Sequence, residues 1–335
     1  MTVGYIDLTG RFSEAVITLQ QLRYLCAIAR EGFSVSAAAK ALGTSQPAIS
    51  KQVRILEQVL GVELLIRRGN RILGLTGAGE AIIIAAQRTL WEAENLERII
   101  EELTRKGPGK LTIATTHMYA RHVLRPIIRD FVQAHPDVQL VLRQGAPSSV
   151  PHSIAAGDAD IGFSGKSADM LEHVLFLPCA ELTRSVFMPK NHPLSREKRL
   201  TLKKLAQFPL IILDPSSEGG QKVMRAFEAA GIRPNVVLSA IDADVVKSYV
   251  ELGLGIAVLL SVAYEPERDR KIEIADATYL FPPTLPQIVL RFGKYLPEYM
   301  QKFIEQIAPQ WDLQSIETAM RSKARRERSE YSRWL

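Results

Sequence analysis

Residues 44–61 read TSQPAISKQVRILEQVLG, and this stretch decides how the amino-terminal part of the chain folds. Pro47 suits the first turn of a helix, where its missing N–H costs nothing, and Thr44 or Ser45 stands ready to cap that helix. Apolar residues recur at spacings of four, three and four, which predicts one buried helix face: Ile49, Val53, Leu56 and Leu60. The other face carries polar and cationic side chains of the kind that contact bases and phosphates: Ser45, Gln46, Pro47, Ser50, Lys51 and Arg54.

A shorter helix precedes this one. Ser36 can cap a helix over Ala37–Leu42, and Gly43 allows a tight turn between the two helices. Two short helices joined in this way form a helix-turn-helix outline, whose second helix enters the DNA major groove. The alternative is an ordinary amphipathic helix in a helical core, so the flanking segments have to distinguish the two.

The segment after the long helix indicates a wing. Two apolar runs, Val62–Ile66 and Ile72–Leu75, flank a basic turn, which predicts a hairpin whose Arg67 and Arg71 hold the DNA backbone. A solvated basic turn is the alternative. Between Leu19, where a first helix begins, and Leu75 there are eight Lys or Arg against three acids, and this excess of five positive charges suits phosphate contact.

Thr76–Arg105 is a long helical segment with an apolar seam. Residues along it alternate at spacings of four and three, as in a coiled coil, which predicts dimerisation. The residues assigned to that contact are Ile82, Ala86, Ala93, Leu96, Ile100 and Leu103. The alternative is a helix that packs only within its own chain. Residues 106–110, KGPGK, end the helix and predict a hinge between domains.

Short β-rich runs alternate with helical ones from Leu111 onwards, which predicts a mainly parallel sheet covered by helices. TRSVFMP at 183–189 is predicted to cross between two lobes. We assign the first lobe to 111–180 and 281–310 and the second to 181–280. The predicted strands are 111–116, 138–144, 159–164, 210–213, 235–240, 255–260 and 287–293, and the predicted helices are 121–134, 148–156, 219–230, 242–252 and 297–307.

Polar groups at the ends of four strands predict a ligand cleft between these lobes. Hydroxyls and free N–H groups in such places can hold a small anion, although each loop alone could simply be capped by polar residues. The candidates are Thr115, Thr116, His117, Gln144, Ser164, Gly165, Lys166, Asp214 and Glu218. His117 is expected to donate or accept a hydrogen bond and not to act as a general base.

Composition excludes several classes of protein. A chain of 335 residues with 47% hydrophobic and 23% charged residues fits two or more soluble domains. It has no membrane-length apolar run, no secretory signal, and only two cysteines, Cys26 and Cys179, so a cytoplasmic location without disulfides, metal or cofactor is expected. No hydrolase, nucleotide-binding or metalloprotease motif occurs, which argues against an enzyme. Residues 1–18 are expected to be an extension and 311–335 a basic tail, whose part from Arg321 to Leu335 is expected to be solvated and partly disordered.

The combined motifs resemble LysR-type transcriptional regulators. The resemblance is carried by SVSAA (34–38), SQPAIS (45–50), Leu56-Glu57, Leu60-Gly61, Leu64-Leu65, Arg67 and LTGAG (75–79). It implies an N-terminal all-α winged helix-turn-helix with a coiled-coil linker helix, then a two-lobed α/β effector domain like a periplasmic binding protein. It also implies a homotetramer on an interrupted inverted repeat in promoter DNA, a small effector in the cleft, and contact with RNA polymerase.

Further motifs resemble the CysB-like branch, which activates sulfur-assimilation genes: LQQLRYL (19–25), TSQPAISKQVRILE (44–57), IATTH (113–117), QGAPS (144–148), LPC (177–179) and DADVVKSYVELGLG (242–255). That branch implies acetylserine-type or sulfur-oxyanion effectors. Two rival hypotheses are a two-lobed solute-binding protein and an enzyme with an appended DNA-binding domain. The residues at 19–105 argue against the solute-binding protein. The missing catalytic groups argue against the enzyme.

The chain departs from this branch inside the predicted cleft. Met118 and Tyr119 stand where the branch has Thr-Gln, and Gly165-Lys166 replaces a loop threonine. Asp214 and Glu218 add two acids where the branch has uncharged residues. Fewer hydroxyl donors and more negative charge make the cleft less suited to sulfate, which Lys166 offsets in part. We therefore hypothesise a different effector, one that carries an amine or hydroxyl groups and meets Met118 and Tyr119 as well as the residues above.

Overall fold

The computed structural model describes residues 16–69, 71–104, 109–166, 171, 173–215 and 217–331, with side chains described at these positions except 101, 102 and 323–331. Most of the expected extension and hinge, and the last residues of the tail, lie outside the described residues. The chain divides into two compact units, one ending at Arg105 and the other beginning at Lys106. No helix of the described chain is both long and apolar enough to cross a membrane.

The described part of the amino-terminal unit contains four helices and one hairpin. Its helices are α1 (Leu19–Arg30), α2 (Val35–Ala41), α3 (Gln46–Leu60) and α4 (Gly77–Thr104). Between α3 and α4 lie two antiparallel strands, β1 (Leu65–Arg68) and β2 (Arg71–Leu75). The hairpin begins at Leu65, three residues later than the first apolar run suggested, and Leu64 just before it is fully buried in the core.

Local capping explains where the helices of the motif begin and end. Ser45 caps α3 by accepting a hydrogen bond from the Ala48 N–H, with Pro47 in the first turn. The expected cap of α2 at Ser36 was wrong: the Ser34 hydroxyl accepts the Ala37 N–H, and Ser36 lies exposed one residue inside the helix. Gly43, in the turn between α2 and α3, has a φ of 60°, a value that residues with a Cβ rarely adopt.

The apolar stripe of α3 closes the core of this unit. Ile49, Val53 and Leu56 are at most 1% exposed and pack in one cluster with α1. Ala86 of α4 is 2% exposed in the same cluster, and Ile82 packs against it. The assignment of these two α4 residues to a dimer contact was therefore wrong, because α1 already covers the first turns of α4.

The carboxyl-terminal unit contains two five-stranded sheets. The sheet of the first lobe has the order β4-β3-β5-β12-β6, and that of the second lobe has the order β11-β7-β10-β8-β9. The strands are β3 (Lys110–Thr115), β4 (Gln139–Gln144), β5 (Ile161–Ser164), β6 (Val174–Pro178), β7 (Arg184–Pro189), β8 (Leu210–Leu213), β9 (Val236–Ala240), β10 (Ile256–Leu260), β11 (Ile272–Asp276) and β12 (Gln287–Arg291).

Both sheets are mixed, which corrects the mainly parallel expectation. Three neighbouring strands run parallel in each sheet, and β12 and β7 then pair antiparallel with both of their neighbours. β7 lies wholly in the second sheet and does not cross between lobes. The crossing segments lie beside it, where Leu182 and Thr284 form an antiparallel bridge. β6 and β11 were not among the strands predicted from the sequence.

Helices pack against these sheets and include several that sequence analysis did not separate. The helix predicted over 121–134 is two helices, and the tail contains a further one whose Ile316, 1% exposed, joins the first lobe's core. The same helix continues through Arg321 to Tyr331, so this part of the tail, which was expected to be partly disordered, is helical. The helices are α5 (His117–His122), α6 (Leu124–Ala134), α7 (Ser149–Ala155), α8 (Leu202–Leu205), α9 (Glu218–Ala229), α10 (Ala243–Glu251), α11 (Glu298–Ile307) and α12 (Leu313–Tyr331).

Candidate nucleic-acid interface and effector cleft

The face of α3 opposite the core is polar and open to solvent. Gln46, Pro47, Lys51 and Arg54 are exposed, and Ser50 is half-buried. Because the apolar stripe fixes the helix on its other side, these side chains project together from one surface. Exposed amide, hydroxyl and guanidinium groups on a short, well-capped helix can reach base edges and phosphates at once.

The wing is fastened to α3 by one carboxylate. The Arg67 guanidinium donates two hydrogen bonds to Glu57, at 2.9 and 2.7 Å. Glu57 also accepts the backbone N–H groups of Leu64 and Leu65. Burial would raise the pKa of Glu57, but these bonds outweigh it and lower that pKa. Arg67 therefore has a structural partner, whereas Arg68 and Arg71 are exposed on the hairpin.

The second half of α4 presents apolar side chains to solvent. Leu96, Ile100 and Leu103 are 61%, 57% and 80% exposed, while Ala93 is half-buried. They are spaced by four and three residues and so lie along one side of the helix. This row differs from Ile82 and Ala86, which the unit's own core covers. An exposed apolar row of this length is typical of a contact with another helix.

The strand ends of the cleft contain fewer open hydroxyls than sequence analysis predicted. Thr115 is fully buried and donates its hydroxyl hydrogen bond to the Phe163 carbonyl at 2.6 Å. Ser164 is also fully buried and donates to the Gly165 carbonyl. Assigning Thr115 and Ser164 to effector contact was therefore wrong, because both hydroxyls are used within the first lobe. Thr116 is half-buried without a side-chain capping bond, and Lys166 is exposed.

Met118 and Tyr119 lie at the start of α5, between the lobes. Met118 packs against buried clusters of both lobes. Tyr119 is 5% exposed and meets Phe163 edge to face, with ring centroids 5.2 Å apart. Burial, and then the negative charge of Glu218, raise the pKa of Tyr119, while Arg184 opposes them. The phenol therefore stays protonated, and this part of the cleft is lined by packed side chains.

Glu218, the first residue of α9, meets the first lobe directly. A Cβ added at Gly165 would overlap Glu218 Oε2, and it would lie 3.3 Å from the Tyr119 hydroxyl. Glu218 Oε1 lies 2.8 Å from Lys222 Nζ. The backbone carbonyl of Asp214, one turn earlier, accepts the Ser217 hydroxyl that caps α9. The structure thus brings Tyr119, Gly165 and Glu218 together.

A second set of polar groups joins the lobes beyond α5. His117 Nδ1 lies 3.3 Å from Gln144 Oε1 on the first lobe, and His117 Nε2 lies 3.3 Å from Asp242 Oδ2 on the second. The His117 side chain is 53% exposed, and Gln144 is exposed, so these groups remain open to a ligand. Asp242 also caps α10 by accepting the Asp244 and Val245 N–H groups.

Four side chains behind His117 form what we call the interlobe cluster: Arg121, His122, Asp244 and Glu265. Arg121 Nε lies 2.6 Å from Asp244 Oδ2, and the His122 nitrogens lie 3.4 Å from Asp244 Oδ1 and 3.5 Å from Glu265 Oε1. The His122 side chain is 1% exposed, and burial lowers its pKa although both carboxylates oppose that shift. In the described part of the chain, one buried atom of each member has no hydrogen bond of good geometry.

Carboxylates and histidines in this region could in principle ligate a metal ion. Two triads have suitably close ligand atoms, namely His117 with Asp242 and Asp244, and His122 with Asp244 and Glu265. However, Arg121 and Lys247 already form ion pairs with Asp244, and Arg125 forms one with Glu265. These cations would repel a divalent ion, so the cluster fits ion pairing better than metal binding.

Comparison with known proteins decides which family this is. Residues 19–80 match the family described as “Bacterial regulatory helix-turn-helix protein, lysR family”. Residues 105–312 match the family described as “LysR substrate binding domain”. The chain belongs to the LysR family of transcriptional regulators. As a LysR-type regulator it binds DNA through its helix-turn-helix and a small-molecule effector through its second unit, and it is not an enzyme.

Proteins of similar sequence align with nearly the full length of this LysR-type regulator. It is 40% identical to the HTH-type transcriptional regulator SsuR of Burkholderia cenocepacia, over 88% of this chain and 95% of that protein. It is 37% identical to the regulator CysB of the same species, over 92% and 98%. The crystal structure of the cofactor-binding domain of the Cbl transcriptional regulator is 31% identical, with a TM-score of 0.60 over 64% of this chain and 94% of that domain.

Sequence analysis of the LysR-type regulator missed the groups that hold its two lobes together. Arg184, Lys222, Asp242 and Glu265 were not among the predicted cleft residues. Arg184 carried one usable signal, a charged residue at the start of the apolar strand β7, where it is 2% exposed. The others are helix or loop residues whose partners are distant in sequence, and local patterns give no sign of such contacts.

Proposed function

We propose that this LysR-type regulator binds an interrupted inverted repeat in promoter DNA with α3 in the major groove. The observation that carries the proposal is the exposed polar face of α3 over a fully buried apolar face. Arg67 acts indirectly, by fixing the wing to Glu57. The residues proposed to contact bases or phosphates are Ser36, Ser45, Gln46, Pro47, Ser50, Lys51, Arg54 and Arg71.

Replacement of Arg54 by alanine tests this proposal. We expect Arg54→Ala to weaken operator binding by about ten-fold or more, since a base or phosphate contact contributes roughly 1–3 kcal/mol. Gel-shift titration at fixed salt measures the change. Arg23→Ala removes an exposed arginine from α1 and is the matched control. Equal affinities of Arg54→Ala and the native protein would overturn the assignment.

The exposed row on α4 supports a dimer of this chain. Two copies can bury Leu96, Ile100 and Leu103 against each other and so place two α3 helices on the two half-sites. Further association into a homotetramer has support from exposed apolar residues near the edge strand β9 and α10: Val236, Val237, Ile241, Val245 and Leu252. Ile100→Asp is expected to shift the sedimentation coefficient to that of a smaller species, whereas Glu97→Asp should not.

For the effector, we propose a small molecule with amine or hydroxyl groups that contacts Thr116, His117, Gln144 and Lys166 and is not sulfate. The open groups His117, Gln144 and Asp242 offer donors and acceptors together, which suits such a ligand better than a symmetric oxyanion. Calorimetric titration of the full chain with sulfate and with O-acetylserine is the test. Tight sulfate binding by the native protein would refute this effector class.

The similarity to the CysB-like branch supports a role in controlling genes of sulfur metabolism from the cytoplasm, with contact to RNA polymerase at the promoter. A genome-wide map of binding sites, made with cells grown on different sulfur sources, tests this role. Enrichment at promoters unrelated to sulfur compounds would contradict it without affecting the DNA-binding proposal. The rival hypothesis of a solute-binding protein is not supported, because the matched families are those of a transcriptional regulator.

A further inference from the structure

A carboxylate of the chain itself lies between the two lobes. Glu218 extends from the first turn of α9 in the second lobe to the backbone of Gly165, at the end of β5 in the first lobe. A Cβ at position 165 would overlap Glu218 Oε2. Glycine at 165 and glutamate at 218 therefore fit each other, and the two residues belong to different lobes.

Two cationic side chains of the second lobe, Lys222 and Arg184, lie near this carboxylate. Lys222 Nζ lies 2.8 Å from Glu218 Oε1 and donates to the Pro283 carbonyl at 2.6 Å. Arg184 is 2% exposed and donates to Thr284 Oγ1 and the Pro282 carbonyl. A Cβ at Gly219 would lie 3.8 Å from Arg184 Nη2, so the guanidinium is beside the start of α9.

The charges of Lys222, Arg184 and Glu218 indicate that Glu218 takes the place of a free anion. Without Glu218, the positive charges of Lys222 and Arg184 would remain near the start of α9, held in place by backbone carbonyls of the segment that crosses between the lobes. With Glu218, one of these charges is balanced by a group that cannot diffuse away. Cations fixed by carbonyls around a small space are what a free carboxylate or oxyanion needs.

We propose that Glu218 is a tethered anion, which fills the interlobe position of a free carboxylate or oxyanion, so that the native cleft rejects such ligands and the cleft without Glu218 accepts them. This inference rests on the proposed effector role of the cleft. A second anion at this position meets both the volume of the glutamate side chain and the repulsion of its charge. The same geometry acts on Arg184: burial lowers the pKa of its guanidinium, and the charges of Glu218 and Tyr119 oppose that shift.

Tethering also means that this interlobe position needs no anion from solution. A carboxylate carried by the chain is present at a high effective concentration, whereas a free anion must be bound from solution. The approach of Glu218 to Gly165 is then made by the chain itself. The effector that controls the regulator acts on the open groups around His117 and not on this position.

Anion binding by the full chain tests the proposal directly. We compare the native protein with Glu218→Ala by calorimetric titration with sodium sulfate and with sodium acetate, at constant ionic strength set with chloride. Glu218→Ala is expected to bind one or both anions at least about ten-fold more tightly than the native protein, because it gains space and loses the negative charge that balances one of the two cations. The same affinity in both proteins, or tighter binding by the native protein, overturns the proposal.

Two further variants serve as controls. Glu305→Ala removes a similar partly buried glutamate that pairs with Lys302 on α11, away from the cleft, and it should bind sulfate like the native protein. Glu218→Gln keeps the shape of the side chain and removes only its charge. It should also bind sulfate more tightly than the native protein, and it replaces Glu218→Ala in the comparison if the alanine variant does not fold.

A double-mutant cycle tests the fit between Gly165 and Glu218. Gly165→Ala should lower the melting temperature of the native protein, since the new Cβ displaces the carboxylate, and lower it much less in the Glu218→Ala background. Equal losses in the two backgrounds would contradict the tethered position. Operator binding by the native protein is measured separately, so a failure of the DNA-binding proposal remains distinguishable from a failure of this one.

Discussion

The wing site, which consists of Glu57 and Arg67, and the interlobe cluster both contain carboxylates next to arginine. The two sites differ in how many hydrogen bonds their carboxylates accept. Glu57 receives four hydrogen bonds, two from Arg67 and two from backbone N–H groups, and it joins neighbouring elements of one unit. In the interlobe cluster, Asp244 and Glu265 face histidine and arginine from another lobe, and buried atoms are left without good hydrogen bonds.

This difference suggests two mechanical roles. A fully bonded buried pair favours a single arrangement, because any shift leaves a charge without partners. In the interlobe cluster, Asp244 and Glu265 each lie near several cationic or histidine groups, so these ion pairs can exchange partners. We therefore expect the wing to be fixed on α3, and the lobes to change their spacing when an effector binds at His117 and Gln144.

The largest expected effect is that of Glu57→Ala. Removing this carboxylate leaves Arg67 and the Leu64 and Leu65 N–H groups without their acceptor, which should destabilise the amino-terminal unit by about 3–5 kcal/mol. Urea unfolding followed by circular dichroism measures the loss. Glu63→Ala, at an exposed acid nearby, should change stability by less than about 0.5 kcal/mol. A small loss for Glu57→Ala would remove the basis of the comparison.

Acid should weaken the same site. Because the folded pKa of Glu57 lies below its ordinary value of 4.5, its contribution is present above that pH and is lost as pH falls through the folded pKa. The amino-terminal unit should therefore lose stability as pH drops below about 4.5, and less steeply in Glu57→Gln. Melting curves between pH 3 and 6 give both slopes, and parallel curves would contradict the prediction.

Asp244→Asn should have a smaller effect on the carboxyl-terminal unit, about 1–2 kcal/mol. Lys247 keeps Asp269 and the Ala263 carbonyl as partners, and Arg121 keeps Glu265, so no cation is left alone. Asp137→Asn, at an exposed position, is the control for the loss of one charge. If Asp244→Asn cost as much as Glu57→Ala, the interlobe cluster would be as rigid as the wing site.

The smallest expected effect is the pH dependence of His122. Burial lowers its pKa below 6.5, so the folded state binds fewer protons than the unfolded chain, and stability falls as pH drops through 6.5. The slope is at most about 1.4 kcal/mol per pH unit for one group. Melting temperatures at pH 7.5 and 5.5 should differ less in His122→Asn than in the native protein. His152→Asn, at an exposed histidine, should keep the native difference.

Sequence analysis predicted the elements whose signals are local. The period of α3, the cap at Ser45 and the turn at Gly43 lie within twenty residues of each other, and the structure has all three. Ser34 was missed as the cap of α2 because Ser36 offered an equally good side chain two residues later. Along the predicted α4 seam, Leu96, Ile100 and Leu103 are exposed while Ala86 is buried in the unit's own core, because a periodic pattern does not say which of its turns the chain itself covers.

The sequence by itself determined a winged helix-turn-helix and a two-lobed α/β unit, because helix period, caps and short strands are encoded by neighbouring residues. Only the tertiary structure decided which partners the charged side chains meet. Arg67 meets Glu57 across ten residues, Arg184 meets Thr284 across one hundred, and Glu218 meets Gly165 between lobes. Such pairs depend on how sheets and crossing segments bring distant residues together, and the energy of each pair depends on a burial that no local pattern specifies.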